Sequence, residues 1–119
     1  MIEMTVIEYL RNALEAPVEA IKPTDQGITE FVLVEKTGSS RENFLNRATF
    51  AIQSYSNTLY GAMSLNEAVK EAMLGDGTNT FGIAYSNCDV AKCSLNSDYN
   101  YTDTTTKHYR YQAVFDLVF

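Results

Sequence analysis

The sequence contains few of the residues and motifs that mark the common classes of enzyme. It has one histidine, two cysteines and no tryptophan among 119 residues. It also lacks the G-x-S-x-G, H-E-x-x-H and S-x-x-K motifs that position a nucleophile or a metal in many hydrolases. These absences exclude the motif-defined hydrolases and leave only isolated side chains as candidates for catalysis.

Basic residues are too few for a typical nucleic-acid-binding protein. Nine lysines and arginines stand against fifteen acidic residues, which gives a net charge of -6. Because nucleic-acid binding depends on neutralising phosphates with Lys and Arg, DNA binding by this chain alone is not expected. The sequence also lacks a basic, apolar leader and any run near the roughly 20 apolar residues of a membrane span, so we expect an intracellular protein without membrane contact.

The two cysteines and the histidine form no recognisable site. Cys88 and Cys93 are expected to stay free thiols, since a reducing compartment disfavours a disulfide. A Cys-x4-Cys pair with one distant histidine lacks the paired spacing of a zinc site, and no calcium-loop motif occurs, so we expect no metal or cofactor. A small hydrolase that uses Cys93 and His108 is the less favoured alternative to a non-enzymatic protein.

The composition is that of one globular domain, which we assign to residues 1–119. Hydrophobic residues make up 45% of the chain, which lies in the ordinary globular range. Apolar residues at helical spacing predict one helix from Thr5 to Glu15 and a second, capped by Ser56, that ends at Leu74 before Gly75. Both helices present one apolar stripe, which is typical of helices that pack on a sheet.

Alternating or β-branched runs predict six strands, the first a short edge strand between Pro17 and Pro23. Two strands that pair antiparallel follow, joined by an exposed loop over residues 37–46. Residues 96–107 are predicted as a long loop, or as strand ends that extend past the sheet. The five predicted strands after the edge strand are 28–36, 47–55, 81–85, 90–95 and 108–119.

The last strand has the clearest pattern in the sequence. Successive side chains of a strand point to opposite sides, so one face of this strand consists of Tyr109, Tyr111, Ala113, Phe115, Leu117 and Phe119. We predict that this face packs against a helix. The complete order is α-β-β-β-α-β-β-β, which predicts an α+β fold with a mainly antiparallel sheet and two helices packed on it.

Three segments together resemble a known family. They are residues 31–38 (FVLVEKTG), residues 48–54 (ATFAIQS) and residues 97–103 (SDYNYTD), the last leading to RYQAVF at 110–115. In sequence and order they resemble the tail terminator, or tail completion, proteins of bacteriophages and prophages. The resemblance implies a small α+β virion protein, made in the bacterial cytoplasm, that forms a hexameric ring at the tail-head joint.

The resemblance also implies the partners. Such a protein contacts other copies of itself, the tail tube protein and a head connector or stopper protein, while DNA only passes through the bore. A stopper or head-completion protein of the same neck is the alternative. We expect the contacts to come from the polar segments 37–46 and 96–107 and from the residues beside them. The candidate contact residues are Lys36, Ser39, Arg41, Glu42, Tyr99, Tyr101, Lys107 and Arg110.

Overall fold

The fold is that of a computed structural model, which describes residues 2–20, 30–42, 45–74, 92–102 and 109–118. Two helices pack on a five-stranded sheet with strand order β1-β2-β3-β5-β4. β1 runs parallel to β2, and the other neighbours are antiparallel. This confirms the predicted α+β fold. The elements are α1 (Ile2–Ala13), β1 (Val18–Glu19), β2 (Phe31–Glu42), β3 (Leu45–Ser56), α2 (Leu59–Leu74), β4 (Lys92–Asn100) and β5 (Tyr109–Val118).

The hydrophobic core lies between the helices and one face of the sheet, here called the helix face. Phe50 of β3 and Phe115 of β5 are opposite each other in the register, and both are fully buried. The sheet contributes alternate residues and the helices contribute one stripe each, as the periodicities of 2 and 3.6 require. The helical side of this core consists of Val6, Ile7, Leu10, Leu65, Val69 and Met73.

The prediction for the last strand is confirmed over its described length. Ala113, Phe115 and Leu117 are fully buried on the helix face, while Tyr109 at the start of the strand is 40% exposed. β5 lies between β3 and β4, so both of its edges are paired. His108 and Phe119 lie outside the described residues.

The predicted loop over residues 37–46 is wrong for residues 37–42 and 45–46, which continue the two strands. β2 and β3 pair from Phe31–Tyr55 to Glu42–Leu45, with one irregularity in register between Lys36 and Gly38. That β-bulge absorbs Thr37, whose hydroxyl donates to the carbonyl of Thr49 at 3.3 Å. The polar composition reflects exposure: every residue from Glu35 to Arg41 is exposed.

Residues 96–100 are also strand, in agreement with the second of the two alternatives predicted for 96–107, of which residues 103–107 lie outside the described residues. β4 continues to Asn100, and its residue Asp98 is paired with Ala113. A second bulge lies between Leu95 and Ser97. The predicted strand 81–85 and the turn after it lie outside the described residues.

α1 begins and ends earlier than predicted, and polar contacts fix it to the sheet edge. Arg11 donates to the carbonyl of Val18 at 2.9 Å and to the carboxylate of Glu19 at 3.1 Å. At the other end Lys36 pairs with Glu3 at 3.3 Å. The pKa of Glu3 lies below its ordinary value because of a hydrogen bond to its own backbone and the nearby Lys36. Neither described helix has the length and apolarity needed to cross a membrane.

The cap of α2 differs from the predicted one. The hydroxyl of Thr58 accepts from the amide of Gly61 at 3.0 Å, which is the geometry of an N-cap. Ser56 lies two residues earlier, and its hydroxyl accepts from the amide of Thr58 at 3.4 Å. A Cβ at position 61 would lie 2.3 Å from the Ser56 oxygen. Glycine, unfavourable inside a helix, is therefore required here by a close approach.

Candidate functional site

The predicted contact residues divide into two groups at opposite corners of the sheet. One group lies on the distal half of β2, near its connection to β3. The other lies where β4 ends and β5 begins. The register places Arg110 opposite Tyr55, near the end of β3, and Arg41 opposite Asn46, near its start. The molecule therefore presents two chemically different surfaces instead of one patch.

The first group is the outer part of the β2–β3 hairpin. Ser39 and Arg41 are exposed, and the backbone of Glu42 closes the pairing opposite Leu45. β1 pairs with β2 only at Val32 and Leu33, so no described strand covers the outer edge of β2 beyond them. Lys36 differs from the other three because its ion pair with Glu3 gives it a role in holding α1.

The second group is an aromatic cluster around Arg110. Its guanidinium carbon lies 4.2 Å from the ring centre of Tyr101 and 5.5 Å from that of Tyr55. The nitrogens of the Arg110 guanidinium also donate, Nη1 to the Tyr55 hydroxyl and Nε to the Tyr101 carbonyl, each at 2.9 Å. Tyr99 meets Tyr101 edge to face at 5.7 Å. The structure thus brings together three predicted residues, while the fourth, Lys107, lies outside the described residues.

A chain of side-chain hydrogen bonds continues from this cluster across three strands. Gln112 donates to the Tyr99 hydroxyl and accepts from Gln53 at 2.9 Å. Tyr55 in turn donates to Gln53 at 2.9 Å. All four side chains lie on the face opposite the helices, here called the second face. Since each amide is used as both donor and acceptor, the network fixes its members in one arrangement.

A third surface, absent from the sequence prediction, lies beside the first half of α2. It is a groove of about 320 Å³ bounded by α2, β4 and β5. Tyr60 is 80% exposed and Met63 is 43% exposed, so its rim is an apolar and aromatic surface in contact with solvent. Asn66, Glu67, Asp98 and Tyr111 also line it.

A charged cluster forms one wall of this groove. Lys70 donates to Asp98 at 2.6 Å and pairs with Glu67 at 2.7 Å, and Asn66 donates to the same Asp98 at 3.0 Å. The bonds to Asp98 and Glu67 raise the pKa of Lys70. Two carboxylates against one ammonium leave the wall with an excess negative charge. Asn66 is 2% exposed, and its Oδ1 atom has no hydrogen-bond partner.

The proposed catalytic pair receives no support from the surroundings of Cys93. Its side chain is fully buried in the core, and burial, with a smaller effect of Asp116, raises its pKa to about 12. A nucleophilic cysteine needs an accessible thiolate, whereas this one stays a protonated thiol. His108 lies outside the described residues. Within the described ranges, no three side chains of His, Cys, Asp and Glu group as metal ligands.

Sequence reasoning missed Tyr55, Tyr60 and Met63 as surface or network residues. Nothing in the sequence showed that Gln53 and Gln112 are directly opposite each other. That fact depends on the β3–β5 register, Gln53 with Gln112. The groove likewise depends on where α2 crosses β5. The sequence did indicate that Tyr60 is exposed, because it is a large aromatic residue outside the apolar stripe of α2.

Comparison with known proteins gives a structural match but no match by sequence. No family model matches the chain, and no curated protein matches it. Among solved structures, a chain from the virion of a native gene transfer agent particle superposes with a TM-score of 0.65. The match covers 98% of this chain and 92% of the other, at 12% sequence identity. At that identity the similarity establishes a shared fold.

Proposed function

We propose that the chain is a structural component of a phage-like virion, and specifically a tail terminator that caps the tail tube as a ring. The observation that carries the proposal is the match of nearly the whole fold to a chain of a gene transfer agent virion. The resemblance of residues 31–38, 48–54 and 97–103 to tail terminators supports the same assignment. In this role the chain stops tube polymerisation and joins the tail to the head connector.

The arrangement of the surfaces supports a ring. A closed ring needs heterologous contacts, in which each copy presents two different complementary patches. The hairpin end of β2 differs in composition from the surfaces at the other end of the sheet, which are the aromatic cluster at Arg110 and the groove beside α2, so the chain presents different patches for the two sides of such a contact. A buried Cys93 and the lack of a described metal cluster give no support to the hydrolase alternative.

The charge of the chain is compatible with DNA passage through a ring. A net charge of -6 per copy opposes adsorption of phosphate, so DNA in transit would not adhere to the bore. The proposed partners are other copies of this chain, the tail tube protein and the head connector or stopper protein. DNA is a transient neighbour and not a ligand.

Deletion of the gene in cells that produce the particle tests the proposal. A terminator is needed to stop the tube, so we expect tails of abnormal, variable length and no particles with joined heads in electron micrographs. Expression of the intact chain should restore tails of normal length. A stopper or head-completion protein would give a different result, in which tails keep their length but stay separate from heads. Normal joined particles after deletion would refute both neck assignments.

A further inference from the structure

We infer that the groove lined by Tyr60, Met63, Asn66, Glu67 and Asp98 receives the outer β2–β3 hairpin of a second copy of this chain. This inference rests on the proposed ring and assigns the contact that closes it. The hairpin end comprises the described residues 38–42 and 45–47. Position, charge and an unpaired polar atom each support the pairing.

The two surfaces lie at opposite ends of the molecule. The hairpin lies at the start of β3, whereas the register places the groove residues Asp98 and Tyr111 level with Ile52 and Ser54 in its second half, about 25–30 Å further along the sheet. A strand of 12 residues spans about 40 Å, close to the longest dimension of 44 Å. A hairpin therefore cannot reach the groove of its own copy, but it can reach that of a neighbour placed head to tail.

The charges of the two surfaces are opposite. The hairpin end has two exposed arginines, Arg41 on the helix face and Arg47 on the second face, and one acidic residue, Glu42. The groove wall has Glu67 and Asp98 against Lys70. The Glu67 side chain is 68% exposed, so its carboxylate is accessible to an incoming guanidinium. Arginine also stacks on aromatic faces, and the rim of the groove provides Tyr60.

The groove also contains a buried acceptor without a donor. The Oδ1 atom of Asn66 is buried without a partner, while its Nδ2 donates to Asp98. An unpaired buried acceptor is costly, so a donor that a neighbouring copy brings to the floor of the groove would gain a hydrogen bond with it. Arginine and the amides of a hairpin edge are donors of this kind.

Site-specific photocrosslinking tests the contact. The variant Tyr60→p-benzoylphenylalanine is irradiated both as free protein at high concentration and inside purified particles. We expect a covalent dimer whose cross-linked peptide includes residues 38–47. The same photoreactive residue in place of Glu71, exposed near the other end of α2, serves as the matched control and should give no such peptide. Cross-links from position 60 to another protein, to another segment or to nothing in both preparations would overturn the inference.

A charge exchange tests the chemistry independently. Arg41→Glu should weaken self-association by tenfold or more, roughly the effect of removing one member of a close charge pair at an interface. Glu67→Arg should do the same, and the double variant should recover much of the lost affinity. Glu71→Arg is the matched control and should change little. Single variants that associate like the wild type, or a double variant no better than either, would contradict the pairing. Sedimentation velocity at several concentrations gives the association constants.

The outcomes separate this inference from the proposed function. If deletion gives overlong tails but position 60 cross-links elsewhere, the terminator role stands and the contact is wrong. If position 60 captures the hairpin but deletion leaves particles normal, the chain assembles with itself and is not the terminator.

Discussion

The two faces of the sheet are built from different chemistry, although the same strands supply both. On the helix face Phe50, Ile52 and Phe115 are fully buried among aliphatic side chains of the two helices. On the second face a polar network joins Gln53, Gln112 and the tyrosines. The helix face is stabilised by the burial of apolar side chains, which is non-directional and so tolerates small shifts of those side chains. The second face is stabilised by hydrogen bonds, which form only in one register of the strands. The first face stabilises the fold, and the second fixes how the strand ends present Tyr99, Tyr101 and Arg110.

The largest effect should come from truncating the helix face. We expect Phe115→Ala to lower the free energy of unfolding by about 3–5 kcal/mol, because it removes a fully buried ring and leaves a cavity. Val114→Ala, at the neighbouring and only half-buried position of the same strand, is the control. Urea unfolding followed by circular dichroism measures both. Equal losses at the two positions would show that the helix face is not the main core.

The second largest effect on stability should come from the close approach of Gly61, in the first turn of α2, to Ser56 at the end of β3. In an ordinary helix Gly→Ala stabilises by about 1 kcal/mol. Here we expect Gly61→Ala to destabilise by about 1–3 kcal/mol, since the new Cβ would lie 2.3 Å from the oxygen of buried Ser56.

The double variant with Ser56→Ala is the control for that steric conflict. Removing the Ser56 oxygen should make Gly61→Ala less harmful than it is in the wild-type background. Thermal unfolding of the four proteins gives the comparison. A stabilising Gly61→Ala in the wild type would contradict the close approach.

The third prediction concerns the energetic coupling of two side chains in the hydrogen-bond network of the second face. We expect the interaction between Gln53 and Gln112 to be worth about 1 kcal/mol in a double-mutant cycle with Met at both positions. A coupling near zero would mean that the two amides act independently. Replacing Gln112 alone should cost more than replacing both, because it leaves a partly buried amide without its partner.

These contrasts also show how far the sequence could predict the molecule. Alternation from Tyr109 to Leu117 predicted the buried face of β5, because burial on one side of a strand is a local pattern. The antiparallel pairing of β2 and β3 was predicted, but its extension over residues 37–42 and 45–46 was missed, because Thr, Gly and Ser have turn character and their pairing across the bulge depends on β3. The contacts of Asp98 could not be predicted for a similar reason. Its partners, Asn66 and Lys70, are distant in sequence.

The candidate site was predictable only as a set of residue types. Tyr99, Tyr101 and Arg110 were chosen from their polar and aromatic surroundings, and the structure brings them together. The groove at Tyr60 was not predicted, because it exists only where a helix crosses two strands of the sheet. Surfaces formed by distant segments leave no periodic signal in a sequence.

The smallest effect concerns the charged wall of the groove. Because the pKa of Lys70 is raised in the folded protein, its contribution to stability is present below its ordinary value of 10.5 and is lost as the pH rises through the folded value. We expect a contribution of about 1 kcal/mol or less, as for other partly exposed ion pairs. The measurement compares the unfolding free energy of the wild type and Lys70→Met at pH 8 and above pH 11. A difference that stays constant with pH would contradict the assigned cause.

The most direct test of the central claim is to observe where the protein binds. Purified chain is mixed with isolated tail tubes and, separately, with isolated head connectors, and both are imaged by negative-stain electron microscopy. We expect ring-shaped density at one end of the tubes and no binding to bare connectors. Binding to connectors alone, or to neither, would contradict the assignment of this chain as the cap of the tail tube.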